Sequence, residues 1–267
     1  MRSNSILKLH LPIFSDHMET LEPSPGIRIF ESGAEVAAAA ANRFIELGRE
    51  AISKRGRFAV ALAGGSTPKR AYELLASDDY KSLLDWSQVH IFFGDERAVP
   101  PDDDESNYRM ANEALLARVG LPDRNIHRMN GVGDVVAHAR LYEDEMRTFF
   151  NDAAWPRFDL VLLGLGDDGH TASLFPGTEV LAEREDWVAG VWVEKLGAYR
   201  ITLTPPAINH AAHIIFLVTG ETKAERLREI LRGEAGPAHL PAQLIKPLDG
   251  SLEWFVDRAA AALLSQQ

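Results

Sequence analysis

The sequence has 267 residues, of which 46% are hydrophobic and 25% charged, and this composition is ordinary for a globular protein with a sizeable core. Its formal net charge of -11 disfavours nucleic acids and anionic membranes as partners, and the absence of cysteine excludes disulfides, thiolate nucleophiles and cysteine-bound metals. Because no apolar stretch reaches the length of a membrane span and no signal peptide is evident, we expect a cytoplasmic location.

Strands and helices are predicted to alternate along a single domain at residues 27–267, which follows a loose, Ser- and Pro-containing leader at 1–26. The apolar patterns predict strands at 27–30, 58–63, 89–93, 160–163, 187–193, 199–204, 214–218 and 252–256. They predict helices at 34–54, 68–76, 107–119, 133–150 and 224–231, a helical turn at 205–206 and a final helix ending at Leu264. Pro68 is expected at the first helical position of its helix, with Ser66 or Thr67 as the cap. This alternation predicts an α/β fold, a mostly parallel sheet with helices on both faces.

Four of the predicted strands end in polar segments that contain glycine. These segments are Gly64–Thr67, Gly94–Arg97, Gly164–His170 and Gly220–Lys223. The carboxyl ends of parallel strands lie along one edge of a sheet, and open α/β sheets bind their ligands at that edge. The four segments are therefore expected to converge into one site.

Several of these residues suit the binding of an anion such as phosphate. Gly64, Gly65, Ser66 and Thr67 precede a helix, where free backbone N–H groups and the helix dipole favour negative charge, although a plain capped turn is the alternative. The segment is not a nucleotide P-loop, because the required spacing is absent. Lys223 at the start of a helix opposes the dipole, which either a bound anion or solvation would relieve. Arg97 and Arg200 are further candidates for binding phosphate, with surface salt bridges as the alternative.

The candidate reacting groups are His170, Asp168 and Asp95. An imidazole can act as a general base near neutral pH, Asp168 could orient it from two residues away, and Asp95 supplies a second carboxylate at the same edge. Gly164, Gly166 and Gly169 also satisfy the dinucleotide pattern G-x-G-x-x-G, but Pro176 follows too soon for a full-length helix. His210 and His213 have no further ligand at metal spacing, so we expect neither a metal nor a cofactor.

The motifs together resemble the 6-phosphogluconolactonase family. The resemblance lies in A-L-A-G-G-S-T-P (61–68), F-F-G-D-E-R-A-V-P (92–100), E-S-N-Y-R-M-A (105–111), L-G-L-G-D-D-G-H-T-A-S-L-F-P-G (163–177), R-I-T-L-T (200–204) and G-E-T-K-A (220–224). It extends from about Ile27 to the C-terminus. It implies a three-layer, Rossmann-like fold and a phosphorylated sugar lactone as the small-molecule partner.

The activity implied by the resemblance is hydrolysis of 6-phospho-D-glucono-1,5-lactone, a step of the pentose phosphate pathway. His170 would activate water, and Arg97, Arg200, Lys223 and the glycine turn would hold the phosphate, in a monomer or weak homo-oligomer. The related glucosamine-6-phosphate deaminases carry a glutamate where this chain has Phe175, which argues against deamination or isomerisation. A non-catalytic sugar-phosphate sensor is the other alternative, and such a protein would not need the Asp168–His170 pair. Asp103 stands where lactonases often carry histidine.

Overall fold

The computed structural model describes residues 26–233 and 240–264, and a parallel sheet of six strands lies at its centre. The described strands are, in chain order, β1 (Ile27–Phe30), β2 (Phe58–Leu62), β3 (Val89–Phe93), β4 (Asp95–Arg97), β5 (Leu160–Leu163), β6 (Val188–Val193), β7 (Ala198–Leu203), β8 (His213–Val218) and β9 (Ser251–Asp257). Six of them pair in the spatial order β1-β9-β8-β5-β2-β3, and every pair is parallel. The predicted parallel sheet is confirmed.

The interior strands are apolar on both faces. Every residue of β2 (FAVAL) and of β5 (LVLL) is buried. Such continuous apolar runs are typical of strands covered on both sides, and burying each large side chain contributes about 1.5–3 kcal/mol. The polar groups of the site are therefore carried at the ends of these strands.

Helices connect and cover the strands. They are α1 (Gly33–Arg55), α2 (Ser66–Leu75), α3 (Asp78–Lys81), α4 (Asn107–Ala114), α5 (Val135–Phe149), α6 (Pro205–Asn209) and α7 (Ala224–Arg232). The long helix α1 begins after Ser32, whose hydroxyl accepts the N–H of Glu35 at 3.3 Å, and it ends at Gly56 in the left-handed conformation. Its buried face packs Phe44 against Phe58 of β2, with the two ring centroids 5.1 Å apart.

Strands β4, β6 and β7 form a second, smaller sheet. Strands β4, β7 and β6 are antiparallel in that order, and β6 and β7 form a hairpin. β6 and β7 were expected as strands, whereas the G-D-E-R segment that forms β4 was expected only as a strand end. Its pairing with β7 joins residues about a hundred positions apart, which local periodicity does not reveal.

The structure corrects two predicted helix ends and the final predicted helix. Helix α2 begins at Ser66 with Gly65 as its N-cap, so Pro68 is the third helical residue. Helix α4 ends at Ala114 because Leu115 leaves the helical region, and a 3-10 turn at Leu116–Arg118 continues it. Residues 258–264 form turns in place of the predicted final helix.

Most of the predicted leader, residues 1–25, lies outside the described residues. Within the described ranges, every helix is too short or too polar to span a lipid bilayer.

Candidate active site

The four glycine-containing segments converge as predicted. Strands β8, β5, β2 and β3 are neighbours in the sheet, so their carboxyl ends lie side by side. Two contacts join the segments across the end of β5. The hydroxyl groups of Thr67 and Thr219 are 2.7 Å apart, and the ammonium of Lys223 forms an ion pair with Asp167.

The turn after β5 fixes the backbone of His170. The N–H of Gly166 donates to the carbonyl of His170 at 2.8 Å, and the N–H of Gly169 donates to the carbonyl of Gly166 at 3.0 Å. Gly169 has a φ of +81°, which favours glycine. A Cβ on Gly166 would lie 2.0 Å from Nδ1 of His170, so the imidazole occupies the space above this glycine.

Asp168 and His170 form a hydrogen-bonded pair. Oδ1 of Asp168 lies 2.5 Å from Nδ1 of His170 and 3.2 Å from its backbone N–H, while Oδ2 accepts Nζ of Lys195 at 2.8 Å. Partial burial favours the neutral acid, but hydrogen bonds from Lys195 and His170 outweigh it and hold the pKa of Asp168 well below its ordinary value.

The pairing of Nδ1 with Asp168 leaves Nε2 as the second ring nitrogen of His170. An ionised carboxylate at Nδ1 stabilises the proton on that nitrogen, so Nε2 carries a lone pair. Within the described ranges Nε2 has no hydrogen-bond partner. The ring is partly exposed, and one of its faces stacks on buried Phe175 with the centroids 4.0 Å apart. The imidazole is therefore held by Asp168 and Phe175 while its side chain stays partly exposed.

Asp95 is held away from the imidazole by other partners. Its buried carboxylate accepts the hydroxyl of Ser173 at 2.6 Å and the side-chain amide of Asn107 at 3.1 Å. The same amide group leaves no room for a side chain on Gly64, where a Cβ would lie 2.0 Å from Oδ1 of Asn107. Asp95 thus ties β4 and α4 to the segment after His170, which supports a positioning role for it.

The turn between β2 and α2 keeps the features of an anion site. Gly65 has a φ of +100°, and the ten-residue helix α2 follows it. In the described chain, the backbone N–H groups of Ser66 and Thr67 have no acceptor, as expected for the first turn of a helix. Ser66 is exposed, whereas the hydroxyl of Thr67 is already engaged by Thr219. Neither hydroxyl caps the helix, contrary to the sequence prediction.

Arg97 and Arg200 lie directly opposite each other in the pairing of β4 with β7. Their guanidinium groups donate to the backbone carbonyls of Glu105 and Tyr199, at 2.6 and 2.9 Å, and neither forms a salt bridge with a described carboxylate. Burial, and next the charge of Arg97, hold the pKa of Arg200 below its ordinary value. A bound anion would relieve the repulsion between the two cations, as expected of residues that bind phosphate.

Lys223 is the N-cap residue of α7, so it lies at the start of a helix as predicted. The expected conflict with the helix dipole is relieved here by the carboxylate of Asp167, and the Lys223 side chain is mostly buried. The backbone carbonyl of Asp167 also accepts Nε of Arg226 at 3.2 Å. Lys223 is thereby aimed at the segment that carries Asp168 and His170.

Two other histidines contact neighbouring side chains away from the candidate site. His210 stacks on Trp155 with the ring centroids 5.1 Å apart, and Nδ1 of His213 lies 2.7 Å from the hydroxyl of Ser251.

The structure adds site residues that the sequence reasoning missed. Lys195, Asn107 and Ser173 each contact a predicted carboxylate. Ser173 lies inside a recognised motif, which was a usable signal, whereas nothing in the sequence around Lys195 marks it. A cavity of about 760 Å³ lies beside the site and shares Asp168, Phe175 and Lys195 with it. The cavity is otherwise lined by the segment after Phe175, the start of α5 and β6, so the proposed phosphate-binding residues lie outside it.

Comparisons with known proteins bear on the family and the fold of the chain. The profile of a family described as glucosamine-6-phosphate isomerases/6-phosphogluconolactonase matches residues 31–254. A 6-phosphogluconolactonase of Synechocystis is 45% identical over 214 residues, covering 79% of this chain and 86% of the relative. One from Nostoc is 44% identical over 218 residues, covering 80% and 88%. The solved structure of 6-phosphogluconolactonase from Trypanosoma brucei has a TM-score of 0.81 at 31% identity, covering 91% of this chain and 99% of that one.

Proposed function

The chain belongs to the family of glucosamine-6-phosphate isomerases and 6-phosphogluconolactonases, and we propose that it hydrolyses 6-phospho-D-glucono-1,5-lactone to 6-phospho-D-gluconate. The resemblance recognised from the motifs, the Rossmann-like fold and the assignment to an enzyme of the lactonase type are confirmed by the comparisons. One observation carries the proposal furthest. The imidazole of His170, oriented by Asp168, lies at the same edge of the sheet as the backbone N–H groups at the start of α2. The three cationic side chains at this edge are those of Arg97, Arg200 and Lys223.

Substrate binding is proposed to begin with the phosphate. Arg97 and Arg200 offer two guanidinium groups that pair with no carboxylate among the described residues, and the start of α2 offers backbone N–H groups. Lys223 adds an ammonium group once the phosphate competes with Asp167 for it. Binding the distant phosphate places the lactone ring over the end of β5, so that binding energy is used to orient the reacting carbonyl.

The proposed chemistry uses His170 as a general base. Nε2 takes a proton from a water molecule while the water oxygen forms a bond to C1 of the lactone. The tetrahedral intermediate then expels the ring oxygen, the C1–O bond breaks, and the proton on Nε2 passes to that oxygen. Asp168 stabilises the imidazolium that exists between these two transfers.

Two glycines of the turn after β5 support His170 through their backbone amides. The N–H groups of Gly166 and Gly169 are both used inside the turn, by the carbonyls of His170 and Gly166. They hold His170 in place, which is a positioning role.

Phe175 favours hydrolysis over deamination or isomerisation. Related deaminases place a glutamate at this position, and a carboxylate can exchange protons with a sugar. Here the phenyl ring stacks on His170 and is buried, so it supplies packing and no proton.

The direct test is the rate of lactone loss above spontaneous hydrolysis, measured by coupling 6-phosphogluconate formation to its NADP-dependent dehydrogenase. We expect His170→Ala to lower kcat by about 10²–10⁴-fold, and Lys223→Ala to raise KM with a smaller effect on kcat. Lys54→Ala is the matched control for the lysine change, because that residue pairs with Glu50 on the exposed face of α1. A folded wild-type protein that does not accelerate lactone hydrolysis would refute the proposal, and glucosamine-6-phosphate turnover would be tested next.

A further inference from the structure

We propose that Lys195 is a positioning residue that holds Asp168, and through it the imidazole of His170, from the tip of the β6–β7 hairpin. The inference rests on the proposed hydrolase function of the same site. Nζ of Lys195 donates to Oδ2 of Asp168 at 2.8 Å, while Oδ1 of the same carboxylate binds His170. The three side chains form a chain that runs from the small sheet to the reactive nitrogen.

The hairpin presents Lys195 in a defined way. Lys195 lies in a 3-10 turn at Glu194–Leu196, which Gly197 closes in the left-handed conformation with its N–H on the carbonyl of Glu194 at 3.1 Å. The neighbouring carboxylate of Glu194 accepts the indole N–H of Trp192 at 2.8 Å. In the described chain, Lys195 forms its ion pair with Asp168 and not with its neighbour Glu194.

Hydrogen bonds to both oxygens of Asp168 fix the plane of its carboxylate. A hydrogen bond to an sp² oxygen is best when the donor lies near the carboxylate plane. His170 binds Oδ1 through two donors of the same residue, and these contacts already oppose rotation of the carboxylate about its side-chain torsion. Lys195 approaches Oδ2 from the hairpin of the small sheet, 27 residues along the chain, and adds a second restraint on that rotation.

The charges around the pair show what Lys195 contributes. On the side of α7, the carboxylate of Asp167 is taken up by Lys223 and its backbone carbonyl by Arg226, and Phe175 closes one face of the imidazole. Lys195 is therefore the cation in contact with Asp168. Its removal leaves the carboxylate charge uncompensated, which favours the protonated and inactive form of His170.

The test compares Lys195→Met, Lys195→Arg and the matched control Lys54→Met. Lys195 and Lys54 have similar exposures, 65% and 62% of the side chain, and each pairs with one carboxylate. For Lys195→Met we expect kcat to fall about tenfold with KM within twofold, and the acid limb of the pH–rate profile to move up by about 0.5–1 pH unit. Lys195→Arg should recover most of the loss, and Lys54→Met should behave as wild type.

Other outcomes would overturn the inference. A rise in KM with unchanged kcat would make Lys195 a substrate-binding residue, and a loss of kcat without a shift of the acid limb would make its role merely structural. An NMR titration of the His170 ring separates this inference from the proposed function, because it needs no substrate. In Lys195→Met the midpoint of that titration should move to higher pH even if the lactone were not the substrate, and an unmoved midpoint would refute the coupling.

Discussion

Gly166→Ala should disable the proposed base without changing any group that takes part in the reaction. The backbone at Gly166 does not have a positive φ, so alanine is compatible with the main chain. The added Cβ would lie 2.0 Å from Nδ1 and 2.1 Å from Cε1 of His170. An ordinary contact between such atoms is about 3.5 Å, so the imidazole must move by more than about 1 Å.

A displacement of this size is expected to cost about 10²-fold in kcat, because general-base geometry is lost when the reacting groups separate by about 1 Å. The ring would also leave Asp168 and its stack on Phe175. The unfolding free energy should fall by about 1–4 kcal/mol. The lost hydrogen bond to a charged group costs about 1.5–3 kcal/mol and the lost aromatic stack about 0.5–1.5 kcal/mol, while replacing glycine by alanine regains about 0.4–1 kcal/mol through the unfolded chain.

Gly164→Ala is the matched control in the same turn. It has no positive φ, and a Cβ there would meet nothing within 4 Å. The coupled lactone assay would compare both variants, and also Gly166→Ala combined with His170→Ala. If the glycine acts through the ring, the double variant should be no slower than His170→Ala alone. Wild-type kcat in Gly166→Ala, or a further large loss in the double variant, would refute the reasoning.

Three further predictions follow from the site and the core. Because Arg200 is proposed to bind the phosphate, Arg200→Gln should raise KM about tenfold and weaken competitive inhibition by inorganic phosphate, with kcat within threefold. Unchanged inhibition by phosphate would exclude Arg200 from the phosphate site. Burial, and next the charge of neighbouring His127, lower the pKa of His90 to about 4, below its value of about 6.5 in the unfolded chain. The contribution of neutral His90 to the unfolding free energy should accordingly be greatest above about pH 6.5. The unfolding free energy, measured by urea denaturation, should fall by about 1–2 kcal/mol between pH 6.5 and 4, and His90→Gln should make it depend less on pH. Gly64→Ala should drive the amide of Asn107 off Asp95, lowering both Tm and kcat relative to Gly164→Ala.

The sequence alone determined the fold class and the edge of the sheet that carries the site. Buried parallel strands are apolar on both faces, so β2 and β5 can be recognised in the sequence as continuous apolar runs that are followed by glycine. The motif around His170 identified both the family and the paired Asp168, because the two residues are near neighbours held by one local turn.

The tertiary structure decided which distant side chains meet. Asp95 was indistinguishable from a catalytic carboxylate in sequence, but it contacts Ser173, which lies 78 residues away, and not His170. Lys195 had no signal at all, because its role depends on a hairpin of a second sheet that packs beside the turn after β5. Local patterning encodes which face of a strand or helix is buried, whereas such pairings depend on how the elements pack in three dimensions, and no periodicity along the chain records that packing.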